Sequence, residues 1–360
     1  MSLINYAGDP TLKDLTGVED KARGETARFR ELHFGIANLM PDSAYFQTIK
    51  DWAQLINLAD QSLQIHLHYL NLEGVERHGE AAAHAQAYGK RVEVALEAGL
   101  DALIVTGANT EHDFETLRDV PYAKDFKRLV AAIESGPVTS GLFSCFAFHT
   151  LLETKFGVQR TLGIPEREDE KNWGVIPHFV PQPARQHFLT RGGDTHFDGI
   201  SSRWGDISAE QATEAGFLVL NQADNVRQSV GAATDSKMNF VGLQTHSEYE
   251  SLGLLKEYLR DWNLYQAGTL SEPVFPTFLT ETGIKKLKEF TSRGASNSTQ
   301  RKLFYTEIEP EVRVTWKAPG TAFIHRWVSG VLKLTSYDRH KKYMNGVDPE
   351  NPLKFLDSQM

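Results

Sequence analysis

Between Leu32 and Gly157 the chain repeats one pattern, a short apolar run followed by a stretch with apolar residues at helical spacing. Leu32–Pro41 reads as a buried strand closed by proline, and Phe46, Ile49, Trp52, Leu55 and Ile56 as one face of a helix. Leu63–Leu70 is the next strand and Glu80–Ala98 an alanine-rich helix. Asp101–Ala108, a helix over Tyr122–Ser135, and the strand-turn-helix of Pro137–Gly157 complete the series. Strands alternating with helices predict parallel βαβ units, hence an α/β fold with an open, mostly parallel sheet flanked by helices. Ligands bind such sheets beyond the carboxyl ends of the strands. Met40, Ala108 and Cys145 all fall at such ends, so they are expected to converge on one cleft.

The second half is richer in strand patterns. Trp173–Ile176, Phe217–Leu220 and Asn239–Gln244 read as strands, and Leu252–Ala267 as a helix. The expected division is a charged arm over 1–30, the main domain over 31–270, a polar insertion over 271–311, and a C-terminal segment over 312–360 packed on the main domain. A length of 360 residues with 41% hydrophobic content permits a large core. The net charge is -9 with no basic run, which argues against nucleic acid as a partner. The first ten residues lack a basic segment followed by an apolar one, and no apolar run is long enough to span a bilayer, so the expectation is a cytoplasmic protein without a membrane partner. A single cysteine excludes an internal disulfide framework and a cysteine-based zinc site. His66 and His68 share one strand face, yet no carboxylate or cysteine is spaced beside them to complete a ligand set. They are read as a half-exposed strand face, and no metal is expected.

Cys145 stands on the turn between a strand and a helix. A lone cysteine is commonly inert packing. On such a turn, however, the side chain is lifted out of the sheet, and a helix N-terminus favours the thiolate. A thiol needs an imidazole to become a nucleophile, and the imidazole needs an acceptor that fixes its tautomer. His246 and Glu248 stand just past a predicted buried strand, where they could face the cysteine. The other reading of a His-x-Glu is an ordinary exposed loop pair.

In order along the chain, Asn38-Leu39-Met40-Pro41, Ile104-Val105-Thr106-Gly107-Ala108, Thr139–Cys145, Thr190-Arg191-Gly192, Ser202-Arg203 and Thr245–Tyr249 together resemble the homoserine O-acyltransferase family. The similarity runs from about Leu32 to Ala267, with a further block from Arg313 through Trp327. The resemblance implies a class I glutamine amidotransferase-like α/β fold. It implies that Cys145 carries the acyl group, His246 accepts the proton and Glu248 is the third catalytic position. Lys171, Ser202 and Arg260 match substrate-binding positions; without that context, Lys171, Arg203 and Arg260 would be read as solvated surface charge. Glu111 matches a position where glutamate goes with acetyl-CoA and glycine with succinyl-CoA. A carboxylate there would repel the free carboxylate of a succinyl group. The implied activity is acetyl transfer, with succinyl as second choice, from acyl-CoA as co-substrate to a small amino acid, homoserine first and serine second. No bound cofactor is implied, and a homodimer is left open.

The chain also departs from the family. It has Gly107-Ala108-Asn109 for Gly-Ala-Pro, Asp42–Gln47 for a run bearing lysine and glutamate, His149 for glutamine, and His246-Ser247-Glu248 for His-Pro-Glu. His149 is read as a pocket residue. A glutamine amidotransferase-type amide hydrolase and a non-catalytic binding protein stay open as alternatives.

Overall fold

The computed structural model describes residues 3–5, 8–15, 18–20, 30–59, 63–108, 114–162, 171–225, 228–294 and 297–358. The first half contributes strands β1 (Leu3–Asn5), β2 (Val18–Asp20), β3 (Glu31–Ala37), β4 (Gln64–Asn71), β5 (Gly89–Arg91), β6 (Ala102–Val105) and β7 (Ser140–Ser144). Helices α1 (Asp42–Ala59), α2 (Gly79–Tyr88), α3 (Val92–Glu97), α4 (Ala123–Glu134) and α5 (Phe146–Leu151) connect or follow them. The second half adds β8 (Thr161–Leu162), β9 (Asn172–Phe179), β10 (His196–Arg203), β11 (Gly205–Asp206), β12 (Leu218–Ala223), β13 (Val230–Thr234) and β14 (Phe240–Leu243). Its helices are α6 (Ala209–Glu214), α7 (Gly253–Gln266), α8 (Glu281–Ser292), α9 (Ser298–Ile308), α10 (Lys317–Leu334) and α11 (Pro352–Ser358).

Twelve strands form one sheet in the order β10-β9-β12-β13-β14-β7-β6-β3-β4-β1-β2, with β5 beside β4. The pairs from β14 to β2 are parallel and those from β10 to β14 antiparallel. The sheet is thus mostly parallel, as the alternating pattern requires. Residue alternation assigns each strand two faces. Leu32, Phe34 and Ile36 of β3 join α1 (Ile49, Trp52, Ile56) and α10 (Ile324, Trp327, Val331) in one core. Leu103 and Val105 of β6 and Phe143 of β7 join α4 (Phe126, Leu129, Ile133) and α5 (Phe146, Phe148) in the other. Each such fully buried side chain contributes about 1.5–3 kcal/mol. Trp327 also satisfies its indole N–H, donating to Ser140 Oγ at 2.9 Å.

The helix read over Glu80–Ala98 is broken. Gly89 leaves α2 in extended backbone and pairs with Tyr69, so β5 separates α2 from α3. Seven strands, β1, β2, β5, β8, β10, β11 and β13, are absent from the sequence reading. The polar sequence of β10 and the small residues of β13 carry no hydrophobic period; their antiparallel partners recruit them. Within the stretch read as a polar insertion, Glu281–Ser292 and Ser298–Ile308 are helices, and Leu287, Phe304 and Ile308 pack with Leu254, Tyr258 and Leu259 of α7. Among the described residues, no helix is long and apolar enough to cross a membrane.

Candidate active site

β7 and β14 are adjacent and parallel, with Ser144 paired to Leu243. Their carboxyl ends therefore emerge side by side, and the loop leaving one strand meets the loop leaving the other. Cys145 comes next after β7, and its N–H donates to Leu243 O at 2.6 Å. Its backbone sits at φ 49°, ψ -112°, a strained conformation for a residue with a side chain. This is the geometry of a nucleophile elbow, in which the turn points the side chain away from the sheet. Two close approaches hold the elbow down. At Gly242 a Cβ would fall 2.2 Å from the Phe148 ring, so only glycine lets α5 lie on β14. At Gly107 a Cβ would stand 3.4 Å from Cys145 Cβ and 4.0 Å from Phe146 N, which puts the loop after β6 against the same turn.

His246 lies three residues beyond β14 and is held by its N–H to Ile200 O of β10 at 3.0 Å. Its Nδ1 is 2.8 Å from Glu248 Oε1, and both side chains are buried. Burial pulls an imidazole toward neutrality. Here the charge of Glu248 and the neighbouring Cys145 outweigh it and raise the His246 pKa well above its ordinary value. Nδ1 being taken by Glu248, Nε2 is the edge left for the sulfur. Lys317 at the start of α10 donates to Glu248 O at 3.3 Å and pairs with Glu250 at 2.6 Å, and Trp316 Nε1 donates to Tyr249 O at 3.1 Å. The loop bearing the histidine is thus clamped from both sides. Replacing Glu248 by glutamine is expected to lower the titration midpoint of the His246 ring, read by ¹⁵N NMR; an unmoved midpoint would show that the carboxylate does not hold the proton there.

The remaining sequence candidates cluster around a residue that the sequence reading did not single out. Glu257 of α7 accepts from Lys171 Nζ at 3.0 Å, Trp173 Nε1 at 3.1 Å, Ser202 Oγ at 2.6 Å and Tyr249 OH at 2.7 Å. Burial would raise its pKa, but Lys171 and the hydroxyl donors hold it at about 2. Arg260 is nearly half exposed and pairs through Nε with Asp261 at 2.7 Å. The Tyr249 ring stacks obliquely on His246 with centroids 4.6 Å apart, joining this cluster to the cysteine and histidine. A signal existed in the sequence: Glu257 and Arg260 lie three apart on α7 and so share a face. Glu111 lies outside the described residues. A cavity of about 320 Å³ opens beside His246 between β10 and α10, lined by Thr190, Ile200, Ser247, Trp316 and Arg326 among others.

One expectation needs correction, and one reading that the family context had set aside is ruled out. His149 is not a pocket residue; it is 1% exposed, and its Nε2 lies 2.7 Å from Gln244 Oε1. Gln244 in turn bonds Ile207 and Val230 main chain, so this polar pair ties α5 to the neighbouring loop and strand. Arg203 is not surface charge. It is buried, donates to Ser201 Oγ and Gln244 O, and pairs with Asp206 at 3.2 Å, which supports the chain entering the His246 loop.

The sequence profile described as "HTS: Homoserine O-succinyltransferase" matches residues 12–337. The chain belongs to this family. A homoserine O-succinyltransferase of Thiobacillus denitrificans is 33% identical over 98% of this chain and 99% of its own. One of Cardiobacterium hominis is 33% identical over 93% of this chain and 92% of its own. Among solved structures, a glutamine amidotransferase of Thermotoga maritima superposes with a TM-score of 0.44 at 10% identity, covering 84% of this chain and 99% of that one.

Proposed function

We propose that the protein is a homoserine O-acyltransferase that works through an acyl-cysteine. The observation that carries this reading is the buried Cys145–His246–Glu248 array on a strained elbow. The Cys145 thiolate attacks the thioester carbonyl of acyl-CoA. The oxyanion is stabilised by backbone N–H groups, with that of Phe146 the first candidate because it opens α5 next to the sulfur. The C–S bond to CoA breaks, and CoA leaves with a proton from His246. The homoserine hydroxyl then gives its proton to His246 as its oxygen attacks the acyl-cysteine, and the cysteine thiolate is released. Glu248 keeps the ring oriented and balances its charge in both halves. Lys171, Ser202 and Arg260 hold the acceptor in this reading, with Arg260 as the fork for its α-carboxylate.

Donor and acceptor are finer questions. The relatives compared carry the succinyl name, so the acetyl preference expected from Glu111 has no support from them. The proposed donor is a short acyl-CoA, acetyl or succinyl; the acceptor is homoserine, with serine second. The test is mass spectrometry after incubation with each donor alone. A thiol-linked gain of one acyl group, discharged by homoserine, is the expected result. Turnover without any covalent adduct would sink the double displacement, and the donor that leaves the larger adduct identifies the acyl group.

A further inference from the structure

At the opposite end of the sheet from Cys145, the amino-terminal ends of β3 and β4 carry a second polar cluster. The strands pair in parallel register with His33 opposite His66, and Glu31, His33, His66 and His68 all project to one face. We propose that Glu31, His33 and His66 form a binding site for a divalent cation of the zinc type, with His68 orienting His33. The site is unrelated to acyl transfer.

The geometry carries the inference. His33 Nε2 is 3.7 Å from Glu31 Oε2, and His66 Nε2 is 3.6 Å from Glu31 Oε1. The three ligand atoms all lie within 4.8 Å of one another. Tetrahedral zinc with bonds near 2.0–2.1 Å sets its ligand atoms about 3.4 Å apart, so a contraction of at most about 1.4 Å completes three corners and leaves the fourth for water. The His33 and His66 rings are stacked 4.5 Å apart at 11°, and loading turns them about χ2, a broad torsion for histidine. His33 Nδ1 lies 2.8 Å from His68 Nε2, which takes the outer-partner place that a carboxylate, carbonyl or water fills at most ligating histidines. The main chain is fixed as well, since His33 N donates to Asp101 Oδ2 at 2.6 Å. Two cations adjoin the cluster. Lys90 Nζ is 3.4 Å from His68 Nδ1, and Arg339 Nη2 is 3.7 Å from Glu31 Oε2. Arg339 is a third exposed and is free to swing into water, so it competes with a metal for the carboxylate. The expected role is structural, pinning β3 to β4 where β4 also pairs with β1.

The test uses the full chain carrying Cys145→Ser, so that the thiol cannot take the metal. The protein is stripped with EDTA and titrated with Zn²⁺ against a chromophoric chelator, with melting followed in parallel. One tight equivalent and a rise in Tm are expected. His33→Gln with His66→Gln should abolish that equivalent. His68→Gln should weaken it roughly 10–100-fold, as loss of an outer partner does. Arg339→Gln should tighten it severalfold, an outcome that a misfolded variant cannot mimic. Glu31→Gln, at a partly exposed position, repeats the loss with little risk to folding. The proposal is overturned if no tight equivalent is found, if it survives the double substitution, or if Arg339→Gln leaves the affinity unchanged.

Discussion

Alanine at Cys145 is expected to lower acyl transfer by on the order of 10⁶, the scale seen when a covalent nucleophile is deleted from a catalytic array. The substitution removes the atom that carries the acyl group, so no adduct should form with either donor. Stability should change far less. The side chain lies on a turn, and alanine fills nearly the same space, although the strained φ of 49° remains. His246→Ala should be almost as severe, because members of one array act as a unit and their losses do not add. Serine at Cys145 should rescue little, since a hydroxyl ionises far less readily than a thiol. The measurement is steady-state turnover beside circular dichroism. A folded Cys145→Ala protein that turns over at the parent rate removes the acyl-cysteine reading altogether.

The second large effect is expected at Glu257. Its carboxylate is bound by four donors and held at about 2, below the 4.5 of an unfolded glutamate. A depressed carboxylate stabilises the fold fully above pH 4.5, and the contribution is lost as pH falls toward 2. At neutral pH it amounts to about 3 kcal/mol. Glu257→Gln keeps the shape and deletes the charge, leaving Lys171 without its nearest anion. Denaturant midpoints should therefore show a loss of about 3 kcal/mol at pH 7, shrinking to roughly half that by pH 3. The same substitution should raise KM for the acceptor more than it lowers kcat, because Lys171 and Ser202 lose the group that positions them. A stability gap that stays constant from pH 7 to pH 3 would mean that the charge is not the source. An unchanged KM would detach the cluster from acceptor binding.

Four strands of the parallel half, β3, β4, β6 and β7, were legible because they are short, apolar and separated by helical periods, whereas β1, β2 and β5 of the same half were not read. Each burial layer follows from residue parity alone, as at Leu32, Phe34 and Ile36 against α1 and α10. The antiparallel half was harder to read. The residues of β10 and β13 have little strand preference of their own and are held by their neighbours. In the site, Cys145, His246 and Glu248 could be picked out by residue type and by position at strand ends. Glu257 was not, since a glutamate on a helix is ordinarily solvated; its shared face with Arg260 was the one signal in the sequence, and four converging donors are what mark it as different. His149 shows the converse, a motif-adjacent polar residue that folding uses for internal hydrogen bonding.

By itself the sequence determined an α/β sheet and the chemistry-bearing residue types at its strand ends, because hydrophobic period and turn residues are local properties. Only the tertiary structure decided which of those residues meet. The β7–β14 pairing brings Cys145 and His246 together from a hundred residues apart, and the β3–β4 register sets Glu31 and His33 beside His66. Strand order and register are non-local and arise from how two faces are buried at once, which no single stretch of chain encodes.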